Sequence, residues 1–198
     1  MYAKYFKRVI DFSLSLIALI VLSPLLLVLI VTGTVFMKGN PFFTQERPGK
    51  DEKIFKLIKF RTMDNRKNRE GKLLPDEVRL NKYGRFLRAT SLDELPQLFN
   101  ILKGDMSIVG PRPALWNQFD LIDLRDKNSS NSVRPGLTEW AQVNGRDELP
   151  IDVKAGFDGE YIKKMSIVFD IKIILMTVVS VFTSKGVREG RNESSNNR

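Results

Sequence analysis

The chain has 198 residues, with 32 Lys and Arg against 23 Asp and Glu, a formal charge of +9, and neither cysteine nor histidine. That inventory excludes disulfides, Cys/His metal sites, thiol nucleophiles and Ser-His-Asp triads, so a catalytic group must be Asp, Glu, Lys, Arg, Tyr, Ser or Thr. After the apolar N-terminal segment there is room for one compact catalytic domain, and the positive charge points to anionic partners: nucleic acid, acidic lipid or phosphorylated small molecules.

Residues 12–37 run for 26 positions without a charge, about 39 Å as a helix and enough to cross a bilayer. The segment is too long for a signal-peptide core and lacks a small-residue cleavage site, so it is expected to be retained. Ser23 and Pro24 interrupt it. Pro24 lacks the amide that would bond the Ile20 carbonyl, and each half is then roughly 18 Å long, too short to span alone. Lys4, Lys7 and Arg8 precede the segment and Lys38 and Arg47 follow it. Both ends therefore favour the cytoplasmic side, as a hairpin dipping into one leaflet requires. Proline is nevertheless common in membrane helices, and the residues by themselves favour a span over a hairpin. From Arg47 to Lys72 there are ten Lys/Arg against four Asp/Glu, which fits a surface facing anionic lipid headgroups.

Residues 42–46 and 54–62 read as two strands joined by the turn 47–51, a β-hairpin. Period-two alternation places Phe55, Leu57, Lys59 and Arg61 on one face of the second strand. A polar loop follows over 64–75, then a helix starting at Pro75-Asp76 with Val78, Tyr83, Phe86 and Leu87 as its apolar face. The next helix, 92–103, carries Leu92, Leu95, Leu98, Phe99 and Leu102 at helical spacing and stops at Gly104. Leu115, Phe119 and Ile122 mark a further helix. Residues 133–149 read as an irregular loop, 152–164 as a weaker helix containing Gly156 and Gly159, and 167–182 as a helix packed on the domain or lying at a membrane interface. The polar residues from 185 on read as disordered.

The chemistry-bearing stretch is Ser91 to Pro113. Ser91-Leu92-Asp93-Glu94 matches a capping box, which explains Glu94 without catalysis. If Ser91 is the cap, Pro96 falls deep enough in the helix to cost a hydrogen bond; if Asp93 is the cap, Pro96 lies in the first turn and costs none. Either way the pair is expected at the positive end of a helix dipole, which favours the ionised forms. An ionised Asp is a competent nucleophile toward phosphorus. Attack on an anionic diphosphate needs countercharge, which Mg2+ held by carboxylates and phosphate oxygens, together with Lys59, Arg88 and Arg112, could supply. Pro111 and Pro113 flank Arg112 and restrict its backbone, which favours a fixed guanidinium for bidentate phosphate contact. Neighbouring carboxyls in one turn do not suit a glycosidase, whose carboxyls flank the scissile bond about 5 to 9 Å apart.

Five ordered motifs then resemble one family: the basic N-terminus with Ser23-Pro24, Lys59-Phe60-Arg61-Thr62-Met63, Ser91 to Asn100, Leu102 to Pro113, and Arg134 to Arg146. Together they make nearly the whole chain similar to the monotopic phosphoglycosyl transferases, bacterial sugar transferases in their small catalytic-core form. The resemblance implies an α+β protein: a re-entrant helix-break-helix over 1–38 in place of a span, a mainly helical catalytic domain over 39–165 with a small β-hairpin, a helix over 166–184 and a tail over 185–198. It implies transfer of a sugar-1-phosphate from a UDP-sugar to polyprenyl phosphate at the cytoplasmic face of the bacterial inner membrane, with UMP released, as the first membrane step of glycoconjugate assembly. By the same resemblance Asp93 is the nucleophile that becomes covalently phosphoglycosylated, Glu94 assists as metal ligand or base, and both hold Mg2+. Lys59, Arg61, Arg88 and Arg112 bind phosphate; Gln142, Asn144 and Arg146 bind the nucleotide. Glu139 departs from the family pattern, which usually has Gly there; a side chain narrows the backbone's choices and adds negative charge beside an anion site.

Two other classes compete. A membrane-anchored basic module binding acidic lipid or nucleic acid would be indifferent to Asp93 and Glu94, but the basic stretches lack interleaved aromatics and no nucleic-acid motif is present. A lipid kinase would need a Gly-rich triphosphate loop, and the sequence has none.

Overall fold

The computed structural model describes residues 2–145 and 149–182. Its N-terminal part is a pair of helices, α1 (Lys7–Val21) and α2 (Ser23–Met37), bent by 65° at Leu22. The bend has a local cause. Pro24 cannot donate to the Ile20 carbonyl, and the Ser23 hydroxyl donates to that oxygen instead, at 2.7 Å, so the broken ladder leaves no orphaned acceptor there. Among the described residues no single helix is long and apolar enough to cross a membrane; only the two halves of this bent pair together have the length and composition to do so. Residues 12–37 therefore do not form one straight helix, and the bent pair has the length and composition of either a broken span or a re-entrant loop.

A hairpin of β1 (Phe42–Pro48) and β2 (Ile54–Phe60) follows, antiparallel, with Phe43 opposite Lys59 and Arg47 opposite Phe55. The predicted helix after Pro75 is two pieces, α3 (Asp76–Arg79) and α4 (Lys82–Ala89). Asn81 separates them because its side chain accepts the Gly84 N–H at 2.8 Å and restarts the helix as an N-cap. Gly84 is also where α4 approaches the end of β2: a Cβ there would lie 1.8 Å from the Thr62 carbonyl oxygen.

The predicted helix 92–103 divides as well. Leu92–Glu94 is a 3-10 turn and α5 spans Gln97–Lys103, ending at Gly104 in the left-handed region with φ 96°. The capping-box expectation is not met. Ser91 itself is left-handed, with φ 55°, and makes no side-chain cap bond; nor does Asp93 begin the helix, since Pro96 is the residue flanking α5.

Beyond α5 lie β3 (Ser107–Val109), α6 (Phe119–Lys127), β4 (Gly136–Thr138), α7 (Trp140–Asn144), α8 (Ile151–Lys164) and α9 (Ile167–Phe182). β3 and β4 form a short parallel pair, Ser107 opposite Gly136 and Val109 opposite Thr138. The stretch 133–149, expected to be irregular, thus contributes a strand and a helix. The mixed helix-and-strand architecture is as expected, with a second small sheet added to the hairpin.

The bent pair is packed on the rest of the protein along one side. Leu19, Leu26, Leu29 and Met37 share a core with Phe55, Leu57 and Phe60 of β2 and with Leu87, Leu98 and Ile101. The Tyr83 hydroxyl donates to the Leu29 carbonyl at 2.9 Å, and its ring stacks on Phe36. The opposite side leaves Val9, Phe12, Ile17, Ile20, Leu27, Val28, Val31 and Val35 exposed. A buried polar network fixes the base of α1: Lys7 Nζ lies 2.5 Å from Asp170 of α9, which also accepts from Tyr2 and Tyr161, while Asp11 accepts from the Ser107 hydroxyl at 2.6 Å. The tail over 185–198 lies outside the described residues.

Candidate active site

Between the hairpin, α4, the 92–94 turn and the Arg112 corner lies a cavity of about 650 Å³. Six cationic side chains line it, from Arg47, Lys59, Arg61, Arg79, Arg88 and Arg112, against three carboxylates, Asp93, Glu94 and Glu139. An excess of cations on low-dielectric walls is what a diphosphate requires.

Each part is held by an identifiable contact. Buried Asn100 of α5 places its side chain along the outer edge of β2, accepting the Ile58 N–H at 3.0 Å and donating to the Lys56 carbonyl at 2.8 Å. This mimics a neighbouring strand and sets the register between β2, which carries Lys59, and the turn carrying the carboxylate pair. Glu94 Oε1 then accepts from Lys59 Nζ at 2.7 Å and from an Arg112 guanidinium nitrogen at 2.9 Å. Arg88 faces the cavity from α4, with its Nε donating to the Thr62 hydroxyl at 3.1 Å.

The two carboxylates differ because their surroundings do. Burial works against ionisation of Glu94, but Arg112 and Lys59 with their hydrogen bonds overcome it and hold Glu94 down at about 2. Asp93, somewhat less buried, has no hydrogen bond to offset the burial it does have; burial and the Glu94 charge push it up to about 6 despite Lys59, Arg88 and Arg112. Among the described residues nothing hydrogen-bonds to the Asp93 carboxylate, so its oxygens are uncommitted in a cavity built for anions. Glu94 is held through Oε1 by Lys59 and Arg112, whereas the Asp93 carboxylate is left facing the cavity, and such a split in acidity between two neighbouring carboxylates marks a candidate reactive pair.

Asp93 and the second Glu94 oxygen are hard oxygen donors, and no cluster of three or more metal-binding side chains exists among the described residues. Two carboxylates with room for phosphate oxygens match the way Mg2+ is usually held, through one or two carboxylates plus the substrate. The residues present fit such an ion.

The structure brings Asp93, Glu94, Lys59, Arg61, Arg88, Arg112 and Gln142 to one cavity. It does not bring Asn144 there: that side chain is exposed and donates back to the Trp140 carbonyl at 2.7 Å. Arg146 lies outside the described residues. Arg47 was missed by sequence reasoning, although the alternation that put Lys59 on the site face of β2 also puts Phe43, Gln45 and Arg47 on one face of β1, and all three line the cavity. Arg47 lies 3.4 Å from the Pro113 carbonyl, its Nε buried without a hydrogen bond, and burial together with the Arg112 charge lowers its pKa. Glu139 corrects an expectation. Its backbone is extended, φ −142° and ψ 157°, which any residue adopts, so the side chain imposes no strain. Its carboxylate turns inward and accepts the Arg112 N–H at 2.7 Å. Burial first, then the Asp158 charge, push it up to about 7 against Arg112 and Arg125.

A fold of this kind around a paired carboxylate and converging cations defines a phosphoryl- or glycosyl-phosphate-handling enzyme, and the chain matches the bacterial sugar transferase family over residues 2–184. It belongs to that family. It is 42% identical over 183 residues to the uncharacterized sugar transferase EpsL of Bacillus subtilis (strain 168), covering 92% of this chain and 90% of that one. It is 41% identical over 193 residues to the UDP-glucose:undecaprenyl-phosphate glucose-1-phosphate transferase of Escherichia coli (strain K12), covering 90% of this chain but 40% of the longer protein. With the UDP-N-acetylgalactosamine-undecaprenyl-phosphate N-acetylgalactosaminephosphotransferase of Aeromonas hydrophila the identity is 34% over 194 residues, 93% of this chain and 45% of that one.

Proposed function

We propose that the chain transfers a sugar-1-phosphate from a UDP-sugar to undecaprenyl or a similar polyprenyl phosphate, by two displacements through a covalent Asp93 intermediate. The observation that carries this reading is Asp93 itself: an uncommitted carboxylate among six cations, with its neighbour Glu94 pinned by Lys59 and Arg112. In the first step a deprotonated Asp93 oxygen attacks the sugar-bearing phosphorus, a P–O bond to the carboxylate forms, and the bond to UMP breaks. In the second, an oxygen of the polyprenyl phosphate attacks the same phosphorus, the acyl phosphate breaks and Asp93 returns as carboxylate. The product is polyprenyl-diphosphate-sugar.

Lys59, Arg61, Arg88 and Arg112 hold the phosphates, Gln142 and Arg146 serve the nucleotide end, and Asn144 joins them only if its side chain leaves the Trp140 carbonyl. Mg2+ bound by Asp93, Glu94 and the diphosphate would neutralise phosphate charge and polarise the phosphoryl oxygens.

The exposed apolar sides of α1 and α2 support immersion of the bent pair in lipid, and a re-entrant path at the cytoplasmic face of the bacterial inner membrane leaves both basic ends on the same side as the catalytic domain. Single cysteines at positions 2 and 40 test this: labelling from the same side is expected, and labelling from opposite sides would contradict it. The reaction is tested by mixing the protein with undecaprenyl phosphate, Mg2+ and each of a panel of UDP-sugars. UMP release with at least one sugar, lost on chelation and in Asp93→Asn, is expected; release indifferent to Asp93 would falsify the nucleophile.

A further inference from the structure

The three carboxylates of the cavity wall include one that the proposed reaction does not use. Glu139 is only 8% exposed, and burying a carboxylate costs several kcal/mol unless its contacts compensate. The two ordinary reasons for a residue at this place do not apply. It precedes α7 at the N-cap position, yet makes no side-chain cap bond. Its extended backbone would suit any residue.

What the carboxylate does is hold Arg112. Pro111 and Pro113 have no amide, so the Arg112 N–H is the sole backbone donor between Gly110 and Ala114. Glu139 Oε2 accepts it at 2.7 Å. The carbonyl of the same residue is taken from the other side: Arg125 Nη1 donates to it at 2.8 Å, and Arg125 is locked by a buried 2.7 Å pair with Asp158. Both polar groups of the Arg112 backbone are therefore gripped by buried charged side chains from β4–α7 and α6–α8. The guanidinium that leaves this clamp reaches Glu94 at 2.9 Å and faces the cavity. Prolines narrow the torsions on either side, but they do not set where the corner stands relative to Glu94.

We propose that Glu139 is a positioning residue: by accepting the Arg112 N–H it fixes the Arg112 guanidinium at the place where it meets Glu94 and the substrate diphosphate. The inference rests on the reading of Arg112 as a phosphate-binding residue. Glutamine at 139 keeps an acceptor oxygen of the same reach, whereas alanine removes it, so the two substitutions separate the hydrogen bond from the charge.

The test uses the 198-residue chain in lipid nanodiscs, with Glu139→Gln and Glu139→Ala compared to the unsubstituted chain. Glu139→Ala is expected to raise KM for the UDP-sugar about tenfold, the size of one hydrogen bond to a charged group, with kcat within about threefold. Glu139→Gln is expected to restore KM to within about threefold. Hydrogen exchange read on the segment 110–114 supplies an arm independent of activity: the Arg112 amide is expected to be protected in the unsubstituted chain and in Glu139→Gln, and fast in Glu139→Ala. Unchanged KM in Glu139→Ala, equal impairment of both variants, or an unprotected Arg112 amide in the unsubstituted chain would each overturn the proposal. If no UDP-sugar releases UMP, the proposed reaction fails, and the exchange arm still decides whether Glu139 holds Arg112. If Glu139→Ala does not fold, KM of Glu139→Gln and protection in the unsubstituted chain decide it.

Discussion

Asp93 and Glu94 are adjacent and both half-buried, yet they are driven apart in acidity by which cations reach which oxygen. A nucleophilic Asp93 must be ionised, and with its pKa raised to about 6 the ionised fraction falls as pH drops through 6. We expect kcat/KM to decline by about tenfold per pH unit below that point and to level off above it, with Glu94, held at about 2, contributing no inflection in that range. A pH–rate profile flat down to pH 5 would count against Asp93. The same shift has a stability consequence of opposite sense. The folded state binds a proton at Asp93 more tightly than the unfolded chain does, so stability falls as pH rises through the interval between the ordinary Asp value and about 6. Ionised Asp93 then costs the fold on the order of 3 kcal/mol. Asp93→Asn is expected to raise the urea midpoint at pH 8 and to change it little at pH 4. Much of this site was legible in the sequence, because an Asp-Glu pair, a lysine on a strand and a proline-flanked arginine are local patterns. The capping role was misread for a physical reason: Ser91 takes a left-handed backbone, and Glu94 is drawn away from it by Lys59 and Arg112, which no local pattern reveals.

At the scale of elements, the site depends on where one short helix meets one strand edge. Asn100 supplies both bonds that hold α5 to β2. Asn100→Leu keeps the volume but leaves the Ile58 N–H and Lys56 carbonyl unpaired, and is expected to cost about 2 to 4 kcal/mol of unfolding free energy, at the usual penalty per buried unsatisfied group. A loss below 0.5 kcal/mol in denaturant unfolding would mean that water replaces both bonds. Asn100 lies on the buried face of α5 with Leu98 and Ile101, whereas Phe99 of the expected apolar face is exposed, and a polar residue in an amphipathic helix gives no sign of a strand edge as its partner. β3 and β4 escaped for a related reason: three residues each, with Gly136 in one of them, are too short to show alternation. Their pairing joins Val109 to Thr138 and so brings Glu139 beside Arg112, contacts made between segments some thirty positions apart.

Across the whole molecule, the bent helix pair is part of the catalytic fold. Its inner side completes the core around β2 and α5, and Lys7 is buried against Asp170 at the far end of the chain. Sequence reading counted Lys7 among flanking basic residues and separated the N-terminal 38 residues from the catalytic domain; an ion pair spanning 163 positions leaves no local trace. Lys7→Met strands the Asp170 charge in the interior, and a loss of about 3 to 5 kcal/mol is expected, read as reduced thermal stability of the active site as well as of α1. Lys7→Met together with Asp170→Leu should recover much of it, and additive losses in the double variant would show that the two residues act separately. The central proposal, a phosphosugar carried on Asp93, is tested most directly by intact-protein mass after mixing the purified chain with a turned-over UDP-sugar and Mg2+ in the absence of polyprenyl phosphate. The expected result is a mass gain equal to one sugar phosphate, located on the peptide containing Asp93, lost on adding polyprenyl phosphate and absent from Asp93→Asn. UMP release only when both substrates are present, with no adduct at any time, would contradict it and indicate direct transfer.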